Sequence, residues 1–292
     1  MRVSVFASQS LLLIALSFGL TSPAAAEDTE MIVGGTPVPP GKYPWQVRLY
    51  ETMDDTKGFC GGSIVGDSWV LTAGHCAVDM DEIVVGFGSV DRTKTVKRVS
   101  EKIIVHPGYI AGQKADLALI KLKTPISNSP WIGVADADLD RSLLKPGASV
   151  TVSGWGATWD TGVFDSYVTY ITERHAKKVL HSDEELQFPL KLHEVEIKVV
   201  DPQECKEAFQ ALNITEWQIG DTEICATEPA GGKDSCYGDS GGPLMVPTDN
   251  IKGFVQVGIV SWGPQCGNPN YPGVYTRLSS FNDWIKTTMK NN

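Results

Sequence analysis

Three short segments of the chain carry groups that could work together as base, orienting acid and nucleophile. Leu71-Thr72-Ala73-Gly74-His75-Cys76 offers an imidazole, and Asp116-Leu117-Ala118-Leu119-Ile120 puts a carboxylate at the head of an apolar run. Gly238-Asp239-Ser240-Gly241-Gly242-Pro243 sets a hydroxyl between glycines. Each alone has a plainer reading. His75 beside Cys76 could be a metal ligand or a packed core histidine, Asp116 a strand cap, and Ser240 a turn residue. Together they supply what nucleophilic catalysis needs: a hydroxyl, a base to take its proton, and a carboxylate to orient the base. Gly238, Gly241 and Gly242 let backbone approach a substrate closely and aim N–H groups at it. A zinc site on His75 and Cys76 would need more ligands nearby, so no metal and no other cofactor is expected.

Such residues must be held by strands and turns. Strand-length apolar runs recur along the chain: Trp45–Leu49, Ser63–Val65, Trp69–Thr72, Ile83–Val85, Ile103–Val105, Leu117–Leu122, Val150–Ser153, Val195–Val200 and Val255–Ser261. Gly, Pro and Asp clusters bound them. Helical periodicity is clear only at the C-terminus, where Leu278, Phe281, Trp284, Ile285 and Thr288 share a face and Ser279 or Ser280 could cap it. A second, short helix is expected over Cys205–Ala211. Many strands and few helices predict an all-β barrel or sandwich. With 292 residues, 42% of them hydrophobic, the chain can bury a core, which excludes a disordered protein. A net charge of −10 argues against a nucleic-acid partner, which needs surplus Lys and Arg.

The first residues read as a leader. Leu11–Leu20 is an apolar run, Ala24-Ala25-Ala26 follows, and Glu27-Asp28 opens the polar chain. That is a signal peptide over residues 1–26. The run is shorter than the about 20 apolar residues of a membrane span, so no membrane anchor is expected. The protein should be secreted, extracellular or periplasmic. In such a compartment six cysteines favour disulfides, with fifteen pairings open in principle. Thr158–Glu185 reads as a long polar surface loop, and Asn213-Ile214-Thr215 fits a glycosylation acceptor.

Beyond these segments, the chain resembles the chymotrypsin-like (trypsin family) serine peptidases over nearly all of Ile32–Asn292. The match begins at Ile32-Val33-Gly34-Gly35 and continues through Tyr43-Pro44-Trp45-Gln46-Val47, Cys60-Gly61-Gly62-Ser63, Ser153-Gly154-Trp155-Gly156 and Ser261-Trp262-Gly263, besides the three catalytic segments. The chain order His, Asp, Ser is also that family's. The resemblance implies an all-β fold: two packed six-stranded antiparallel barrels and a C-terminal helix. The peptidase domain would run 32–292, with an N-terminal barrel at about 32–130 and a C-terminal barrel at about 131–292. It implies that Ser240 is the nucleophile, His75 the base and Asp116 the orienting acid. Gly238 and Ser240 would give the oxyanion hole, and Ser261 would support Asp116. It selects the pairs Cys60–Cys76, Cys205–Cys225 and Cys236–Cys266.

It also implies a substrate class. Asp234 falls at the floor of the primary specificity pocket, with Ser235 beside it and Gly263 and Gly273 as open walls, which resembles the trypsin type. Cleavage after Arg or Lys follows, because a buried carboxylate requires a cation. Trp262 and Gly263 should pair with substrate backbone, while Tyr237 at the rim and Gln113 near the next subsite tune preference. Residues 27–31 read as a propeptide. Its removal would free the Ile32 amine to pair with Asp239, the family's activation switch. Met31 departs from the usual Lys or Arg before that cut, so another protease should do the activating. The family's calcium loop would lie near Val90–Val99, but its cluster of Arg92, Lys94, Lys97 and Arg98 does not suit that ion. Partners would be protein or peptide substrates, the activating protease and protein inhibitors, around a monomer. A non-catalytic binding protein on the same fold is the alternative, disfavoured because His75, Asp116, Ser240 and both oxyanion positions are kept.

Overall fold

The computed structural model describes residues 32–111, 114–128, 131–157, 188–210, 219–249 and 253–292. The segments read as leader and propeptide, Gln113, the stretch Thr158–Glu185 and the motif read as a glycosylation acceptor at Asn213 lie outside the described residues.

The strands in chain order are β1 (Thr36–Pro37), β2 (Gln46–Tyr50), β3 (Cys60–Gly66), β4 (Trp69–Thr72), β5 (Val84–Phe87), β6 (Val96–Val105) and β7 (Ala118–Leu122), then β8 (Gly133–Val134), β9 (Ser149–Gly154), β10 (His193–Val199), β11 (Glu223–Thr227), β12 (Pro243–Pro247), β13 (Phe254–Trp262) and β14 (Gly273–Arg277). Strands β2-β3-β4-β7-β6-β5 close into an antiparallel barrel. A second antiparallel ring runs β9-β10-β11-β14-β13-β12 and back to β9. Closure removes the edges on which an open sheet would pair with other chains. The fold is therefore the pair of six-stranded barrels that the resemblance implied.

Alternation builds both cores. In β10, His193, Val195, Ile197 and Val199 are buried while Glu194, Glu196 and Lys198 are not, the period of a half-covered strand. In β2 all five residues are buried. Val47 and Leu49 enter the first core, while Gln46, Arg48 and Tyr50 face the other way and are covered too. That second face meets the neighbouring barrel: Ser153 Oγ donates to Gln46 Oε1 (2.7 Å) and Ser63 Oγ to Gln256 Oε1 (2.6 Å). A polar seam of this kind fixes two barrels in one orientation, because a shifted pairing would leave buried polar groups unsatisfied.

The first and last described segments each cross to the other barrel. β1 pairs with β10, and Ile32 is fully buried in the second core beside Val150 and Ile197. The C-terminal helix Asn282–Asn291 returns to the first, where Phe281 and Ile285 join its core and His106 packs edge-on to Phe281 and Trp284. The expected serine cap is not formed. Residues Leu278–Phe281 make a 3-10 turn, and Phe281 caps the helix without a side-chain bond. Ser279 Oγ donates instead to Asp140 Oδ2 (2.9 Å), where an Arg277–Asp140 ion pair has drawn it. The other expected helix spans Pro202–Gln210.

Candidate active site

His75 lies in the single helical turn Gly74–Ala77 that ends β4, and the Cys60–Cys76 disulfide ties this turn to β3. Its Nδ1 is 2.8 Å from Asp116 Oδ2, and its backbone N–H donates to Asp116 Oδ1 at 2.8 Å. Asp116 precedes β7. Ala115 just before it has φ +50°, a left-handed conformation that costs a non-glycine residue about 1–2 kcal/mol. Such strain is held where a side chain must be aimed. From the second barrel Ser261 Oγ donates to Asp116 Oδ2 (2.5 Å) and Thr276 Oγ1 to the Asp116 carbonyl (2.9 Å). Burial pushes the Asp116 carboxyl up, but the His75 ring and the donors around it outweigh that and hold it below the usual range. The carboxylate is thus ionised at neutral pH, and each oxygen is already engaged. His75 Nε2 is buried and has no hydrogen-bond partner among the described residues.

Ser240 follows a tight turn closed by Asp239 N–H donating to the Cys236 carbonyl (2.9 Å). Its own carbonyl accepts from Gly61 N–H (2.7 Å), beside Cys60, so the disulfide at His75 and the serine turn share one anchor. Asp239 is fully buried and accepts from Gly156 N–H (2.7 Å) and Cys236 N–H (3.0 Å). A Cβ at Gly154 or Gly156 would lie 2.0 or 2.3 Å from its oxygens. That explains the paired glycines around Trp155: they make room for the carboxylate. Burial raises the Asp239 carboxyl to about 6, against the pull of the two N–H groups and of Arg48.

Beside Ser240 opens a cleft lined by Asp234, Ser235, Tyr237, Ser261, Trp262 and Gly273 among others. Asp234 is 3% exposed. Its Oδ2 accepts from Gly267 N–H (3.1 Å), and its Oδ1 is buried with no hydrogen-bond partner among the described residues. Burial pushes this carboxyl up to about 7, while the nearby Gly267 and Ser235 groups pull the other way. Gly263 and Gly273 face each other, with 3.6 Å from an ideal Gly263 Cβ to the Gly273 Cα, so either side chain would narrow the cleft. Cys236–Cys266 braces the cleft and Cys205–Cys225 links the helix Pro202–Gln210 to β11. Cys60, Cys76 and His75 lie close enough to suggest a metal cluster. The two cysteines are bonded to each other, however, so neither offers a thiolate.

Sequence reasoning missed four residues that shape this site. Arg48 sits inside a run that reads as a core strand, Tyr275 and Thr276 lie in β14, which the sequence reading did not find, and Phe188 adjoins a polar stretch. Tyr275 Oη lies 3.0 Å from Ser235 Oγ under the cleft. Only the charge of Arg48 at a strand centre gave any signal. In the loop read as unsuited to calcium, Arg92 is buried and donates to the carbonyls of Thr56, Phe188 and Pro189.

Two closed antiparallel barrels with a Ser, His and Asp gathered at their seam define a chymotrypsin-like serine peptidase architecture. A model of the family described as Trypsin matches residues 32–187 and 178–285. Among curated proteins, human kallikrein-7 is 32% identical over 282 residues, covering 96% of each chain. Drosophila melanogaster serine proteinase stubble is 34% identical over 277 residues, which is 90% of this chain and 32% of that longer protein. The chain belongs to the trypsin family of serine peptidases.

Proposed function

We propose that the protein is a secreted endopeptidase, made as an inactive precursor, that hydrolyses peptide bonds after Arg or Lys. The observation that carries the substrate class is the Asp234 carboxylate, buried at the floor of the cleft with one oxygen unpartnered among the described residues. An unpaired buried charge is costly, and a substrate guanidinium or ammonium would relieve it.

In the reaction, Ser240 Oγ adds to the scissile carbonyl carbon while His75 Nε2 takes its proton. Asp116 keeps Nδ1 protonated and stabilises the imidazolium. The oxyanion so formed accepts from the Gly238 and Ser240 N–H groups, each donor contributing about 2.7–4 kcal/mol. Collapse breaks the C–N bond as His75 gives its proton to the leaving amine, and water then repeats the sequence on the acyl-enzyme. The partly closed triad supports this division of labour: Nδ1 is engaged and Nε2 is left for the serine and substrate.

Cleavage between Met31 and Ile32 would create the α-amine that pairs with Asp239. Two features support it: Ile32 is buried in the second core, and the Val33 carbonyl accepts from Asp234 N–H (3.2 Å). Ordering the new N-terminus therefore also orders the pocket floor. Pairing raises the amine above its free value near 8, so the active form is favoured below that raised value and lost as pH rises through it. The signal peptide at 1–26, an activating protease that accepts Met before or Ile after the cut, protein inhibitors and a monomeric state belong to the same reading. The test is a panel of peptides with Arg, Lys, Phe or Ala before the scissile bond, given to protein with a verified Ile32 N-terminus. Preference for Arg and Lys, lost in Asp234→Ser, is expected. No turnover would overturn the enzyme reading and favour a binding protein on this fold.

A further inference from the structure

A guanidinium buried without a carboxylate against it is an unusual thing for a protein to keep, because its desolvation is uncompensated at close range. Arg48 is such a group. It is 1% exposed, at the centre of β2. Its Nε and Nη2 donate to the carbonyls of Lys57 (3.1 Å) and Gly58 (2.9 Å) in its own barrel, and its Nη1 donates across the seam to the Gly238 carbonyl (2.6 Å). No ion pair forms on it among the described residues, although the charge of Asp239 acts on it. Burial lowers it to about 10, so it is a cation at neutral pH. The surroundings are cut to its shape. A Cβ at Gly58 would lie 2.6 Å from Nε, and the Phe188 ring covers the guanidinium at 6.0 Å.

Gly238 is where a fixed contact matters. It has φ +89°, and without a side chain it can rotate widely. Its N–H lies in the peptide plane of the Tyr237 carbonyl, which accepts from Ala157 N–H (2.7 Å), and its own carbonyl lies in the plane of the Asp239 N–H, which donates to the Cys236 carbonyl (2.9 Å). Any Cβ there would meet the Phe188 ring at 3.0 Å, so packing requires glycine. To these neutral backbone bonds Arg48 adds a charge-assisted one, from a fork already anchored at two other carbonyls.

We propose that Arg48 is a positioning residue for peptide hydrolysis: from the first barrel it holds the Gly238 carbonyl, and so keeps the Gly238 and Ser240 N–H groups turned toward the substrate oxyanion. This rests on the peptidase reading above. Arg48 does not line the cleft and acts on the transition state through Gly238. Its removal should therefore weaken what binds the oxyanion and spare what binds Asp234.

The test uses the full chain activated at Ile32, with Arg48→Met and Arg48→Lys. Three quantities are measured: kcat and KM on an arginyl amide, the affinity for a simple aryl amidine, and the affinity for a peptide aldehyde with Arg at its end. The amidine reads the pocket floor, and the aldehyde, once Ser240 adds to it, reads the oxyanion site. Arg48→Met should lower kcat and aldehyde affinity by about 10²-fold, the size of one lost oxyanion donor. Amidine affinity and KM should stay within about threefold, and Arg48→Lys should recover about tenfold of the loss through one charged donor. A folded Arg48→Met with wild-type kcat overturns the inference, and so does amidine affinity falling in step with kcat. If Arg48→Met does not fold, Arg48→Lys decides: a kcat loss of about tenfold at constant amidine affinity supports it, and wild-type kcat overturns it. An inactive wild type overturns the peptidase reading together with this inference. An active wild type beside an unaffected variant overturns this inference alone.

Discussion

Asp116 and Asp234 are both buried carboxylates of the candidate site, one behind His75 and the other at the floor of the cleft, yet the protein treats them in opposite ways. Asp116 is met by the His75 ring, the His75 amide and the Ser261 hydroxyl, and is held below the usual range. Among the described residues Asp234 has one oxygen unpartnered, and burial pushes it up to about 7. Equal burial thus gives shifts of opposite sign, and the local donors decide between them. One site is completed within the fold and works as a fixed part. The other is left incomplete, and under the proposed function its missing partner is the substrate.

That contrast can be broken in several ways. The largest effect is expected at the completed site. Asp116→Asn should lower kcat by about 10⁴, because an amide no longer enforces the working tautomer of His75, with KM little changed. Steady-state kinetics on an arginyl substrate checks this, and a KM-dominated loss would place Asp116 in binding instead. At the incomplete site Asp234→Ser should reduce kcat/KM for Arg and Lys substrates by about 10²–10³, the cost of removing one partner of a buried pair. Substrates with Phe or Ala before the cut should be spared.

Amidine binding should follow the Asp234 proton. The ligand prefers the carboxylate, so affinity should rise about tenfold per pH unit below about 7 and level off above it. Calorimetric titration from pH 5 to 8 checks this, and an affinity flat across that range would mean that Asp234 is already ionised when empty. Stability gives the smallest effect and the clearest change of sign. A carboxyl raised from 3.8 to about 7 holds its proton in the folded state while the unfolded chain has lost it. Its contribution to stability therefore falls as pH rises from about 4 to 7. In the ligand-free protein at pH 8, Asp234→Asn should raise the melting temperature and Asp116→Asn should lower it, each through about 1–3 kcal/mol. Two shifts of the same sign would collapse the distinction between the sites.

Much of this was legible in the sequence. His75, Asp116 and Ser240 announced themselves because their neighbours are constrained locally: a glycine-rich turn, a strand head, a cysteine. The strand runs were readable wherever β-branched residues lay between turn formers. Strands β11, β12 and β14 escaped that reading. Glu223-Ile-Cys-Ala-Thr is short and mixed, β12 is framed by prolines, and β14 begins at a pocket glycine. The serine cap of the last helix was misjudged because the competing partner, Asp140, is 139 residues away in sequence.

What the sequence by itself determined is the set of chemical parts, their order along the chain and the all-β character of the scaffold, since these depend on residue type and short-range periodicity. Only the tertiary structure decided which carboxylate is satisfied and which is left open, that Gly154 and Gly156 clear space for Asp239, and that a strand-centre arginine reaches the carbonyl of Gly238. Those outcomes depend on groups brought together from two barrels. Burial and hydrogen bonding are properties of the assembled surroundings, and no single segment carries them.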